Sequence, residues 1–344
     1  MTKPPKISIV IACYNYAKYV ALAIESALRQ SYSHKEIVVV NDGSKDNSLE
    51  VIGRYADQVQ LIDQPNQGHI AACNNGFKAA TGDIVIFLDA DDLLDTDTLE
   101  KVAQAWRPNC SKLQYDVRII DADGRDLGRR FCHFTADYDA DRVRSDFKRT
   151  GTYRWPVTVG NAYCRAFLAE VMPLTVSEAP DGWLNTIAPA FGDVITIPEV
   201  LGSYRVHGSN LWSNTGNDNA KLPRRISHRQ LEIAAMKHWA QRKGLPPVSV
   251  NPLDYELPFI NYRLMAMRLG LDYAGRDKDN VLKLVWAGCT EGLRQPVPWT
   301  QKIGHLGWFP LIAILPKALL QPLIRFRYNR SDFLLSVKRR LQLN

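Results

Sequence analysis

Four short apolar runs set the rhythm of the first hundred residues: ISIVIA (7–12), EIVVVND (36–42), VQLID (59–63) and DIVIFLD (83–89). Their length and β-branched content predict buried strands. The stretches between them are amphipathic. AKYVALAIESALRQS (17–31) sets Val20, Ala23, Ile24, Ala27 and Leu28 at helical spacing. SKDNSLEVIGRYA opens on Asp46, Asn47 and Ser48, all suited to capping a helix, and GHIAACNNGFKAAT (68–81) reads as a third helix. Alternating units of this length predict an α/β domain, a parallel sheet with helices on both faces. In such sheets ligands bind outside the carboxyl ends of the strands.

From about residue 106 the rhythm changes. KLQYDVRIIDADGRDLG (112–128) predicts two strands joined by a turn at Asp123-Gly124, and DVITIPEVLGSYRVHG (193–208) predicts another strand pair. The polar, turn-rich SNTGNDNAKLP (213–223) suits a linker. The segments RRISHRQLEIAAMKHWAQRKG and YELPFINYRLMAMRLGLDYAG then read as helices. The expected organisation is a catalytic domain over 1–212, with halves 1–105 and 106–212, a linker at 213–223, and a helical region over 224–344.

Charge sharpens this division. The formal excess is +7, and residues 297–344 carry eight Lys and Arg against Asp332 alone, so the rest of the chain is neutral. A nucleic-acid binder would spread its basic charge along a groove or helix, so nucleic acid is not an expected partner. Basic and apolar blocks alternate through 299–341, with Trp299, Trp308, Phe309, Phe326, Tyr328 and Phe333 among them. That composition suits a membrane interface. The longest uncharged stretch, Ile303 to Pro316, falls short of the roughly 20 residues a span requires. Pro310 and Pro316 are expected to break any long helix there. Six scattered cysteines without a CxxC pair argue against a zinc site or a disulfide scaffold. The first residues lack the apolar core of a signal peptide, so a reducing compartment is expected, the cytosol or the cytosolic face of a membrane.

The chemistry concentrates at strand ends. The fourth run drives into Asp89, Asp91 and Asp92. One aspartate there can cap the next helix. Two carboxylates at i and i+2 can instead share Mg²⁺ or Mn²⁺ with the oxygens of a diphosphate. Asp42, at the same edge, can accept a ring N–H from a pyrimidine base, and Tyr14 can stack on one. No GxGxxG follows the first run and no GxxxxGK[ST] occurs, which excludes the usual dinucleotide and P-loop arrangements.

The motifs ISIVIACYN, EIVVVNDGSKDNS, NQGHIAACNNG and GDIVIFLDADD, in this order and spacing, resemble family 2 glycosyltransferases of the GT-A fold over roughly residues 5–210. The resemblance implies a Rossmann-like mixed sheet and an inverting transfer of a sugar from a nucleoside diphosphate, usually with Mn²⁺ or Mg²⁺. It implies that Asp89-Ala90-Asp91 is the DxD motif, with Asp91 on the metal and Asp89 near the ribose or the metal. By the same resemblance Ala12, Tyr14 and Asp42 hold the nucleotide. Cys73 departs from the family pattern, where an arginine is common, and Arg205 is the candidate replacement cation. His207, in the closing motif GSYRVHGSN, would complete the metal shell or touch phosphate. An inverting displacement needs a general base. The family places it just ahead of an apolar helix, which selects Asp181 over Glu178 and Asp193. Trp183 beside it, and Trp155, could face an acceptor sugar or belong to the core. The expected activity is transfer from a UDP- or dTDP-sugar to a saccharide, expected to be lipid-linked, in cell-surface polysaccharide synthesis. A nucleotidyltransferase and an inactive nucleotide- or glycan-binding relative are the alternatives.

Overall fold

The structure, a computed structural model, describes residues 4–175, 180–207 and 221–328. The chain divides into two compact units. Among the described residues, the first comprises 4–149, 153–175, 180–206 and 235–247; the second comprises 150–152, 207, 221–234 and 248–328. Residues 235–247, in the stretch expected to be helical, group with the first unit.

The first unit begins β1 (Ile7–Cys13), α1 (Val20–Leu28), β2 (Lys35–Asp42), α2 (Ser48–Gly53), β3 (Gln60–Gln64), α3 (His69–Ala79), β4 (Ile84–Asp89). It continues β5 (Leu93–Leu94), α4 (Thr98–Ala105), β6 (Cys110–Ile120), β7 (Asp126–Arg130), α5 (Ala140–Thr150), β8 (Asn161–Cys164), α6 (Arg165–Val171), α7 (Pro180–Ile187) and β9 (Asp193–Arg205). The strands form one mixed sheet ordered β3-β2-β1-β4-β8-β6-β9-β5, with β7 paired to β6. The first four in spatial order are parallel, as the alternation of runs predicts. Their core is almost dry: Ile7, Ile9, Ile11, Val39 and Ile86 are fully buried, clustered with Val20, Ala23, Ile24 and Ala27 of α1. These strands are buried on both faces, which is why they read as continuous apolar runs.

The segment 193–208 does not form a strand pair. It is one strand, β9, running parallel to β6. Tyr115 pairs with Ile197 and Asp116 with Val200, so Pro198 and Glu199 are accommodated as a bulge. A bulge is where a strand tolerates a residue without an N–H, and it lets the strand bend and continue.

The helix α8 (Lys221–Arg242) is shared between the units. The second unit adds α9 (Leu257–Leu269), α10 (Val281–Arg294), α11 (Trp299–Ile314) and α12 (Lys317–Tyr328). Its own core gathers Ile260, Leu264, Leu284, Phe309, Ile312, Leu320 and Ile324. Pro310 lies inside α11 and Pro322 inside α12, so proline does not end the helix at 310 as expected. Packing of Trp308, Phe309 and Ile312 into the core holds α11 through that turn, and Pro316 alone falls between helices. The linker at 213–223 lies outside the described residues except for its last three, which open α8. Among the described residues no helix is long and apolar enough to cross a membrane.

Candidate active site

The carboxyl ends of β1, β2 and β4 meet at one edge, where Ala12 pairs in register with Asp89 and with Val40. The loops leaving β1 and β2 brace each other. The Asn15 N–H donates to Ser44 Oγ (3.0 Å), the Lys45 N–H to Asn15 Oδ1 (2.7 Å) and the Ala17 N–H to Asp46 Oδ2 (3.1 Å). Asn15 has φ +59°, a left-handed conformation that asparagine tolerates. Gly43 has φ +65°, and a Cβ there would lie 2.5 Å from the Asn66 nitrogen. Tyr14 is held at the rim of this frame, 39% exposed.

Asp42, expected to meet the nucleotide base, also serves the protein's own frame. It is buried, Oδ1 accepts from Gln64 Nε2 (2.7 Å) and the Gln67 N–H (2.9 Å), and Oδ2 accepts from the Gly68 N–H (2.8 Å). It ties down the loop that launches α3.

The three aspartates after β4 differ in depth. The Asp89 side chain is 30% exposed and its Oδ1 lies 3.4 Å from His69 Nε2. Asp91 is buried to 7% exposure and Asp92 completely. Asp92 Oδ1 accepts the Arg205 N–H at 2.8 Å, and its Oδ2 is buried without a hydrogen-bond partner. Burial, reinforced by Asp91 and Asp89, holds the Asp92 carboxyl well above the ordinary carboxylate range. The field of the corner reaches its neighbours. The Tyr16 phenol is raised first by burial and then by Asp91, Asp89 and Asp92.

Arg205, expected on phosphate, is only 1% exposed. Its Nε donates to the Asp91 carbonyl (2.8 Å) and one terminal nitrogen to the Asp121 carbonyl (3.2 Å), with the guanidinium 4.9 Å from the Tyr19 ring centroid. It braces the acidic corner through these main-chain oxygens. His207 lies two residues past β9, partly buried.

The side chain beside Asp89 is one that the sequence did not single out. His69 opens α3, and its Nε2 is 3.6 Å from Cys73 Sγ, the position where the family commonly carries arginine. Burial by itself would lower the imidazole's pKa, but Cys73 and the Asp89 carboxylate outweigh it and raise it well above the usual value. The i, i+4 spacing of His69 and Cys73 puts both on one helix face, a signal present in the sequence.

Asp181 is the second residue of α7, partly exposed. The Tyr204 phenol is raised by burial first, then by Asp92, Asp89, Asp91 and Asp181. The candidate base and the acidic corner thus act on one side chain. Glu178 lies outside the described residues. Asp193 stands at the start of β9, about 40 Å along the strand from Arg205 at ~3.3 Å per residue, and pairs with Arg144. Distance removes it from the site. Trp183 and Trp155 are both partly buried.

Under α7 lies a polar cluster. The side chain of Lys112, on β6, is fully buried, and its Nζ donates to Asn185 Oδ1 (2.6 Å) and to the Tyr153 hydroxyl (3.2 Å). The Tyr163 hydroxyl donates to the same Asn185 oxygen (3.0 Å), and the Tyr153 hydroxyl to the Asn185 carbonyl (2.7 Å). Burial pulls Lys112 well below the ordinary lysine range, against the opposing influence of Cys132 and Asp181.

Comparison with known proteins bears on the family and the fold. The family described as Glycosyl transferase family 2 matches residues 8–172. An uncharacterized glycosyltransferase of Nostoc sp. is 35% identical over 218 residues, covering 60% of this chain and 66% of the relative. The chain belongs to glycosyltransferase family 2. A Haemophilus influenzae glycosyltransferase is 44% identical over 101 residues, covering 28% of this chain and 40% of its own length. Each of these matches therefore spans less than the whole relative. A mannosyltransferase from Pyrobaculum calidifontis, solved with GDP-Man and Mn²⁺, superposes with a TM-score of 0.51 at 17% identity, covering 94% of this chain and 88% of that one. That likeness supports the GT-A-like mixed α/β fold for this family member.

Among the described residues no three His, Cys, Asp or Glu side chains converge to hold a metal ion. Two carboxylates at one corner remain, an all-oxygen donor set that fits a hard divalent cation sharing its shell with phosphate oxygens.

Proposed function

We propose that this glycosyltransferase transfers a sugar, with inversion, from a nucleoside-diphosphate donor to a hydroxyl of a saccharide acceptor. The observation that supports the proposal is the gathering of Asp89, Asp91 and Asp92 just after β4, at the edge where Ala12 of β1 pairs in register with Asp89 and with Val40 of β2, inside the stretch that matches glycosyl transferase family 2. The nucleotide rests along the β1–β2 edge, with Tyr14 against the base and Ala12 leaving room beside Asp89. Asp42 contributes by fixing the Gln67–Gly68 loop. Asp181 accepts the acceptor hydroxyl proton as that oxygen attacks the anomeric carbon. The diphosphate leaves toward Asp91 and Asp89, which would hold Mn²⁺ or Mg²⁺, with His207 the further candidate ligand. Such an ion, when bound, would supply Lewis-acid stabilisation of the leaving charge. Trp183 and Trp155 bound the acceptor side.

The donor is taken as a UDP- or dTDP-sugar. The acceptor is taken as lipid-linked, with the enzyme at the cytosolic face of a membrane, because the basic excess sits in 297–344. The deciding experiment is isothermal calorimetry of UDP, dTDP and GDP with and without Mn²⁺, followed by a donor-hydrolysis assay. Binding that requires Mn²⁺ and hydrolysis of the matching sugar nucleotide support the proposal. Tight binding with no turnover on any sugar nucleotide would favour a glycan- or nucleotide-binding relative instead.

A further inference from the structure

The second unit carries an exposed apolar surface that its own core does not use. In α10, Leu284 and Gly288 are buried, whereas Leu282 (81% exposed), Trp286 (77%) and Leu293 (38%) face outward. Those three lie at i, i+4 and i+11, one stripe of the helix. In α11, Trp308, Phe309 and Ile312 are buried, whereas Trp299 (69%), Ile303 (62%), Leu306 (37%) and Ile314 (78%) are exposed. Those four lie at i, i+4, i+7 and i+15, again one stripe. Each helix is therefore apolar on two opposed faces, and only one of them is buried.

The two stripes share one side. A Cβ on Gly288 would meet the Phe309 ring, and one on Gly292 would meet His305. As one partner number rises the other falls, so the helices pack antiparallel. On each helix the exposed stripe stands about a third of a turn from this contact line, in the same rotational sense along the chain. Antiparallel packing mirrors that sense, which brings both stripes to the same side of the hairpin.

The charge around this side is of one sign. The single acid in α10, α11 and α12 is Glu291, which is buried and paired with Arg294. Lys302 and Lys317 have no acidic partner among the described residues. Beyond them the sequence adds Arg325, Arg327, Arg330, Lys338, Arg339 and Arg340 against Asp332. A second copy seated on this side would oppose cation to cation. An anionic bilayer would answer both features, taking the tryptophans and aliphatics at the headgroup boundary and the lysines at its phosphates.

We infer that the α10–α11 hairpin is a membrane-docking face that lies flat on an anionic bilayer through Leu282, Trp286, Trp299, Ile303 and Ile314. This deepens the reading of the enzyme as one of the membrane surface and rests on it. It also assigns α10, which the basic tail alone does not explain.

The test is flotation of the full chain with vesicles of phosphatidylcholine containing about one third phosphatidylglycerol, beside pure phosphatidylcholine. The wild type is expected to float with the anionic vesicles and to be released by high salt. The doubly substituted Trp286→Glu/Ile303→Glu chain should lose at least tenfold in partitioning, with an unchanged thermal melt. Trp286→Phe, which keeps the fold and the apolar surface, should retain flotation and lose part of the tryptophan emission quenched by brominated lipid. Unchanged flotation of the glutamate variant would overturn the inference and leave the tail as the sole anchor. So would a wild-type dimer that the same variant dissociates. Calorimetry with UDP and Mn²⁺ on the glutamate variant should match the wild type. Loss of nucleotide binding in both proteins would defeat the glycosyl-transfer reading while leaving the flotation result standing.

Discussion

Lys112 Nζ donates to Asn185 Oδ1 at 2.6 Å, one helical turn below Asp181 on the same face of α7. The bond joins strand β6 to the helix that carries the candidate base. Lys112→Met removes a donor from a buried carbonyl oxygen that Tyr163 alone would still serve. The expected cost is about 1–3 kcal/mol, read by urea denaturation. If the bond sets the angle of α7, kcat should also fall by roughly tenfold or more while the donor KM barely moves. Equal kcat in a destabilised variant would assign Lys112 to stability alone.

Asp91 and Asp181 should separate binding from chemistry. Asp91→Ala should abolish the Mn²⁺-dependent part of nucleotide binding in calorimetry. Asp181→Asn keeps the shape of α7 and should leave that binding intact while transfer drops by about 10²–10⁴. Transfer that survives Asp181→Asn places the base elsewhere.

Acid should weaken the amino-terminal end of the sheet through Glu36. Burial alone would raise this carboxyl, but Lys6, Ser8 and Thr81 outweigh it and hold it at about 2, against an ordinary 4.5. A depressed folded-state pKa contributes stability that is fully present above the unfolded value and is lost as pH falls through the folded one. The window is therefore pH 4.5 down to about 2. The side chain is 22% exposed, so the contribution is taken as on the order of 2 kcal/mol. Glu36→Gln should lower stability at neutral pH and flatten its fall between those limits, as followed by circular dichroism.

Gly288→Ala tests the hairpin packing directly. The new Cβ would sit 2.3 Å from the Phe309 ring, so one helix must move. Overpacking of this kind costs about 1–3 kcal/mol. Differential scanning calorimetry should show the loss, and Gly304→Ala, where a Cβ meets nothing within 4 Å, should not.

The sequence was most legible where strands are buried on both faces. β1, β2 and β4 declare themselves as apolar runs, and the acids that end β2 and β4 mark the edge of the candidate site. It was least legible where a polar pattern is buried. Lys112, Gln114 and Asp116 alternate along β6 as an exposed face would, yet all three are at most 1% exposed. Tertiary cover from α7 and from residues 153–156 overrides the pattern, and that cover is invisible in a local window. Pro198 suggested a break in β9 because a bulge and a turn share the same signature. The helix α10 was not read from the sequence, although its apolar positions keep helical spacing. The acids of the site were named from the strand ends. Of the cations, Arg205 was named and lies buried against the Asp91 carbonyl, whereas His69 beside Asp89 was not.

Arg205 grips the Asp91 carbonyl, the Asp121 carbonyl at the β6–β7 turn and the Tyr19 ring just ahead of α1 with a single guanidinium. Three distant stretches of chain are thereby riveted to one point. When substrate loads or product departs, the Asp91 main chain cannot shift alone: the hairpin tip and the start of that helix must travel with it, so the pocket floor behaves as a single plate.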